Sequence, residues 1–316
     1  MFKNATIYRL DPSTALPSLQ ALTAALDCAP FVPCGATQDK SVGWVSPRGH
    51  EHGMLAESIC GQIILCLRIE TKTVPSSAVK QMVKKMVDEV EATTGRVPGR
   101  KETKALREDA LLMLLPQAFP KQTSVFVWID PANGWLVTDA SSQGKQDEVV
   151  TALVRAIDGL QLQFLQTTTT PLTAMSQWLT AADPSEWPGA FSIERACELV
   201  SGDEEKSVVK FNRHNLVNDE VREHIAQGKL PKWAAMSFDG RIGFVLTEGM
   251  QLKKITLLDD VTYSRPDGED GFDADVAIAT GELQKLIPAL IDALGGEISF
   301  SSSAAGPSKP HPSQPT

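Results

Sequence analysis

Apolar and polar residues alternate from Asn4 to Leu10, with Ile7 on one face and Tyr8 on the other, which predicts a first strand. Leu16, Leu19, Leu22 and Leu26 recur at helical spacing and predict a helix over residues 15–26. Residues 27–52 are rich in Pro and Gly, with a short strand expected around Trp44. The branched residues Ile59, Ile63, Ile64 and Ile69 predict one long strand over 58–70. Pro75 then opens a helix where its missing N–H costs nothing. That helix has an apolar stripe of Val79, Met82, Val83, Met86, Val87 and Val90. A Gly/Pro break at 94–99 separates it from a second helix over about 100–115, whose inward stripe reads Ala105, Leu106, Ala110, Met113 and Leu114. Two such helices form a hairpin that would stand off a sheet as an arm. A β-hairpin is expected at 124–130 and 134–139 across Asn133-Gly134, then a helix over 145–157 and a strand over 162–167.

The second half repeats the mixture. It reads as helices over 171–180, 193–200 and 219–227 and a strand over 207–211. A hairpin of 232–238 with 241–247 turns at Asp239-Gly240, followed by a strand over 251–257 and a last helix over 282–294 ended by Gly295-Gly296. Residues 301–316 are Ser/Pro-rich with nothing to bury and are expected to be disordered. Short strands and helices interleave without strict βαβ regularity, so the fold class is α+β built of mixed short sheets and helices. The organisation expected is an N-terminal region 1–167 containing the basic helical hairpin 75–118, an acidic C-terminal region 168–297, and a tail 298–316.

Composition sets the class. The 316 residues are 42% hydrophobic and 22% charged, which excludes collagen-like and largely disordered chains. The longest apolar run, 59–67, holds Gly61 and Gln62 and is too short to span a bilayer. No signal core follows the N-terminus, so a cytoplasmic protein is expected. Five cysteines, an odd number without C-x-x-C spacing, argue against zinc ribbons and redox pairs and for reduced, mostly buried thiols. The net charge of −9 hides an asymmetry. Residues 68–121 carry eleven basic against seven acidic side chains, whereas 181–297 carry twelve against twenty-two. One segment could therefore attract a polyanion that the rest repels.

The search for catalytic motifs is nearly empty. The 95–103 stretch resembles a phosphate loop, but three residues separate its glycines and Pro98 removes an amide, leaving a basic inter-helix turn. No Gly-x-Ser-x-Gly occurs, and no Gly-x-Gly-x-x-Gly follows a strand. His50-Glu51-His52 could share a metal only with further ligands that the sequence does not single out, and His214 and His224 have no partner at a motif spacing. The acidic run Asp267, Glu269, Asp270, Asp273 and Asp275 lacks the Gly and Glu of a calcium loop and reads as a solvated acidic loop. A metal-dependent nuclease using these carboxylates is the enzymatic alternative.

An ordered series of segments carries a resemblance. It includes Tyr8-Arg9-Leu10, Phe31-Val32-Pro33-Cys34-Gly35, Gly43-Trp44-Val45, Gly61-Gln62-Ile63 and Leu114-Leu115-Pro116-Gln117-Ala118-Phe119. It continues through Trp128-Ile129-Asp130, Asn133-Gly134, Phe272-Asp273-Ala274-Asp275 and Thr280-Gly281-Glu282-Leu283 to the 290–297 segment. From about Phe2 to Glu297 the chain resembles the RdgC family of bacterial recombination-associated proteins. The resemblance implies a horseshoe-shaped α+β subunit, two of which close a homodimeric ring around duplex DNA without sequence preference. It further implies association with the nucleoid, restraint of RecA-dependent recombination and an effect on replication, with no catalytic activity and no cofactor, metal or small-molecule ligand. In that setting the expected DNA contacts are Lys80, Lys84, Lys85, Arg96, Arg100, Lys101, Lys104 and Arg107, with a second cluster of Lys210, Arg213, Lys229 and Lys232. Any one of these cations could equally be a solvated surface charge. Phe119 is expected at a dimer interface or gate, the alternative being a core aromatic at a helix end. A third functional class is an interaction module that binds the recombinase directly.

Overall fold

A computed structural model describes residues 1–258 and 269–298, so Asp267 and all of the expected tail beyond Ile298 lie outside the described residues. The N-terminal half runs β1 (Asn4–Leu10), α1 (Leu19–Leu26), β2 (Lys40–Val45), β3 (Ala56–Ile59), β4 (Gln62–Lys72), α2 (Ser76–Thr94), α3 (Arg100–Leu114), β5 (Pro120–Asp130), β6 (Trp135–Thr138), α4 (Gln143–Ala156) and β7 (Leu162–Phe164). Then follow α5 (Pro171–Thr180), β8 (Phe191–Ser201), β9 (Val208–Asn212), α6 (Asp219–Ala226), β10 (Lys229–Phe238), β11 (Ile242–Thr247), β12 (Gln251–Leu257) and α7 (Glu269–Ala293). The class is α+β, as the sequence predicts, but the strands join one antiparallel sheet of order β2-β4-β5-β6-β1-β12-β11-β10-β8-β9 in place of several short ones. β3 pairs β4, and β7 pairs β1 beyond the point where β12 leaves it.

The central strands are buried on both faces. Ala5 and Ile7 of β1, Trp128 of β5 and Val137 of β6 join one apolar cluster with α5 and α7. Tyr8 and Leu10, Val127 and Ile129, and Leu136 join a second cluster with α1 and α4 on the opposite face, as the two-residue period of a strand requires. Beyond β1 the first cluster continues through Leu252, Leu246, Ala234 and Leu199. Their neighbours Lys253, Val245, Trp233 and Glu198 point to the other face, where no helix of either cluster lies.

Several expectations are corrected. The single strand over 58–70 is a hairpin, because Cys60 (φ 50°) and Gly61 (φ 80°) both take positive φ in a two-residue turn between β3 and β4. The helix over 193–200 is the strand β8, paired on both edges by β10 and β9, so sheet pairing overrides the helix-forming Glu, Arg and Ala. The last helix begins at Glu269, thirteen residues earlier than expected, so Asp273 and Asp275 sit on a helix and not in an acidic loop. In α3 it is Leu106, Ala110 and Leu114 that turn inward, whereas Ala105 and Met113 are exposed. Cysteine burial is partial. Cys66 and Cys197 are buried, which pushes their thiols up to about 11 and about 12, but Cys28 and Cys60 are exposed; all five are free.

Candidate nucleic-acid interface

The arm grows out of the longest ladder in the sheet. β4 and β5 pair from Ile63↔Ile129 to Lys72↔Pro120, and the chain between those last partners forms α2 and α3. At 1.5 Å per residue, the 19 residues of α2 carry the arm about 28 Å. The stripe predicted for α2 is buried or half-buried along its length, so each helix buries its apolar side chiefly on the other. Every cation assigned to the arm from sequence is exposed: Lys80, Lys84, Lys85, Arg96, Arg100, Lys101, Lys104 and Arg107. Two of them are engaged. Arg96 holds Glu102 in a two-pronged pair at 2.8 and 3.2 Å, which keeps that carboxyl below the usual carboxylate range. Lys104 Nζ lies 3.9 Å from Glu108 across one helical turn. The other six form no salt bridge among the described residues. Phe119 is 93% exposed, so it is not a core aromatic, and Leu112 and Met113 expose apolar surface on the same stretch.

The second cluster divides. Lys210 of β9 and Lys232 of β10 share a groove of about 480 Å³ on the open sheet face, floored by Trp233, Val245 and Thr247. Lys229 instead donates to His224 Nδ1 at 2.9 Å, and Arg213, at φ 54°, uses its carbonyl to accept from Arg195 Nη2 at 3.1 Å. Neither lines the groove. Lys253 and Lys254 of β12 do, and sequence reading missed them. Their signal is non-local: antiparallel pairing sets Lys253 opposite Val245, while Lys232 and Lys254 fall at register shifts that redirect their side chains. Four lysines thus face Glu198 and Glu248. Burial raises the Glu198 carboxyl, but Lys210 Nζ at 3.0 Å and the Trp233 indole N–H at 3.1 Å outweigh it and hold the group ionised below its ordinary range. The groove keeps a net excess of positive charge beside a half-buried indole, a combination suited to a phosphodiester backbone.

The described side chains of the acidic run do not gather. Asp273 Oδ1 accepts from Arg48 Nη2 at 2.6 Å, Arg48 Nε lies 3.2 Å from Glu57, and its guanidinium sits 5.0 Å over the Phe272 ring. Glu269 and Asp270 begin α7, and Asp275 lies one residue before the buried Val276. His50, Glu51 and His52 are exposed on their loop. Among the described residues no three His, Cys, Asp or Glu side chains come together in a way that could hold a metal. No described helix is long and apolar enough to cross a membrane.

Residues 1–297 match the family described as "Putative exonuclease, RdgC". The chain is 40% identical over 304 residues to the recombination-associated protein RdgC of Dechloromonas aromatica, covering 94% of this chain and 98% of that protein. It is 41% identical over 304 residues to that of Herminiimonas arsenicoxydans, with the same shares covered. The Bordetella pertussis protein of that name is 40% identical over 301 residues, again covering 94% and 98%.

Proposed function

Because the chain belongs to the RdgC family, we propose that it binds double-stranded DNA without sequence preference, as a homodimeric ring around the duplex that restrains RecA-dependent recombination at the nucleoid. The observation that carries this reading is the arm: eight exposed cations on a two-helix projection, six of them without a carboxylate partner among the described residues. Contacts from such side chains go to phosphates, which position a duplex and carry no base information. The lysine groove around Trp233 adds a second basic track on the open sheet face. Phe119, at 93% exposure, is the anchor of one subunit contact.

Solution mass with and without a duplex tests the ring, together with affinity for two duplexes of unrelated sequence. A dimer mass and equal affinities are expected; a monomer on DNA refutes encirclement, and a strong sequence preference refutes phosphate-only contact. The family's description as an exonuclease supports a second reading, in which Asp273 serves a metal-dependent nuclease. Asp273 is held by Arg48, so that reading requires the pair to open. Incubating end-labelled DNA with magnesium or manganese decides: cleavage that Asp273→Asn abolishes establishes the nuclease. A recombinase-binding module would instead keep its inhibitory effect after the basic residues of 80–107 are neutralised.

A further inference from the structure

We propose that the cavity beside the loop 46–55 binds a guanine base. This cavity, about 710 Å³, lies between the end of α1, the chain segment running along β2, and Arg68 of β4. Its size is that of a small-molecule site. It shares no lining residue with the groove around Trp233. Two features point to a planar, uncharged, hydrogen-bonding ligand. The Arg68 guanidinium lies 5.7 Å over the Phe31 ring and makes no hydrogen bond or ion pair among the described residues. A guanidinium layered on one ring keeps its in-plane donors free and offers its outer face to a stacked base. Ser46 also lines the cavity, but its Oγ is buried against Gly53 and offers no surface to a ligand. Asp27 and Glu51 supply carboxylate acceptors, and Trp44 supplies apolar wall.

Two carboxylates against one arginine, beside the imidazoles of His50 and His52, give the lining no fixed excess of positive charge, which favours a neutral hydrogen-bonding group over a phosphate. Guanine matches the set, because its N1–H and N2 amino donors suit a carboxylate while its O6 and N7 acceptors suit an arginine fork. The base could come from a free nucleoside or from a nucleotide extruded from DNA, and only the second source rests on the DNA-binding reading above.

The test titrates the full chain with guanosine by calorimetry, with cytidine and inorganic phosphate as comparators. Guanosine is expected to bind more tightly than either, and to weaken at least about tenfold in Arg68→Gln and in Asp27→Asn, as on loss of one charged hydrogen bond. Asp27 is exposed, so Asp27→Asn reports on binding even if Arg68→Gln disturbs folding. A second arm compares a duplex carrying one bulged guanine with the same duplex carrying an abasic bulge. A preference for the bulged guanine that Asp27→Asn removes assigns the base to DNA. Guanosine binding without that preference assigns the free nucleoside. Equal heats for guanosine, cytidine and phosphate, or guanosine affinity unchanged in both variants, overturn the proposal. Neutralising Lys80, Lys84 and Lys85 should weaken DNA binding and leave guanosine binding intact, which separates failure of this site from failure of the arm.

Discussion

The arm makes a quantitative prediction about salt. Of its eight cations, Arg96 and Lys104 are partnered by Glu102 and Glu108, which leaves Lys80, Lys84, Lys85, Arg100, Lys101 and Arg107 for phosphates. Each phosphate neutralised releases condensed counterions and adds about −0.9 to the slope of log K against log salt concentration. Six contacts from each arm, twelve in the dimer, give a slope of about −11, and affinity falls by roughly 10⁶-fold or more between 50 and 200 mM salt. Replacing Lys80, Lys84 and Lys85 by Gln removes three contacts per arm, six in the dimer, and should make the slope shallower by about 5.4. All three are exposed on α2, so the thermal midpoint should stay near that of the parent chain. Fluorescence anisotropy on a labelled duplex at five or six salt concentrations measures the slope for both proteins. If the slopes coincide while both proteins remain folded, the arm does not touch the backbone and the reasoning fails.

Three further outcomes follow from particular contacts. Phe119→Ala should leave the unfolding free energy within about 0.5 kcal/mol, since the ring is 93% exposed, but should shift the solution mass from dimer toward monomer; an unchanged dimer removes Phe119 from the interface. Arg241 hydrogen-bonds Glu282 at 2.7 Å and thereby holds its carboxyl below the usual range, against the opposing effect of burial. The folded-state pKa is the lower one, so this stabilisation is complete above the unfolded value of about 4.3 and disappears as pH falls through the folded value. Glu282→Gln should therefore flatten the acid limb of stability against pH, and urea titrations from pH 7 down to 3 would detect a limb that does not change. Gly43→Ala should destabilise the fold by about 1–3 kcal/mol in urea, because an added Cβ would lie 2.4 Å from Phe31 Cα, where residues 29–31 hydrogen-bond along β2; a smaller loss means that segment yields easily.

Elements whose signals are local were legible in the sequence. β1, α5 and β12 have the expected bounds, and the hairpin at Asp239-Gly240 turns where its paired positive φ values allow. Elements specified by distant partners were not. β8 reads as Ile-Glu-Arg-Ala-Cys-Glu-Leu-Val, a run of good helix formers, and becomes a strand because β9 and β10 hydrogen-bond both its edges. The Cys60-Gly61 turn was hidden inside a continuous β-branched run, since cysteine seldom marks such a turn. The basic arm is a contiguous stretch and was found whole. The lysine groove is assembled from five strands, so Lys253 and Lys254 become neighbours of Lys210 only through the order of the sheet.

β1 joins both halves of the sheet, with β6 on one edge and β12 and β7 on the other. Asn4 leaves the ribosome 249 residues ahead of its partner Lys253. Until then the nascent chain carries an unsatisfied strand edge at its centre, open to pairing with a neighbouring polypeptide. Completion of this fold is thus a late, high-contact-order event. Deleting the first ten residues should cause aggregation during synthesis, with little tolerance for the loss of so short a piece.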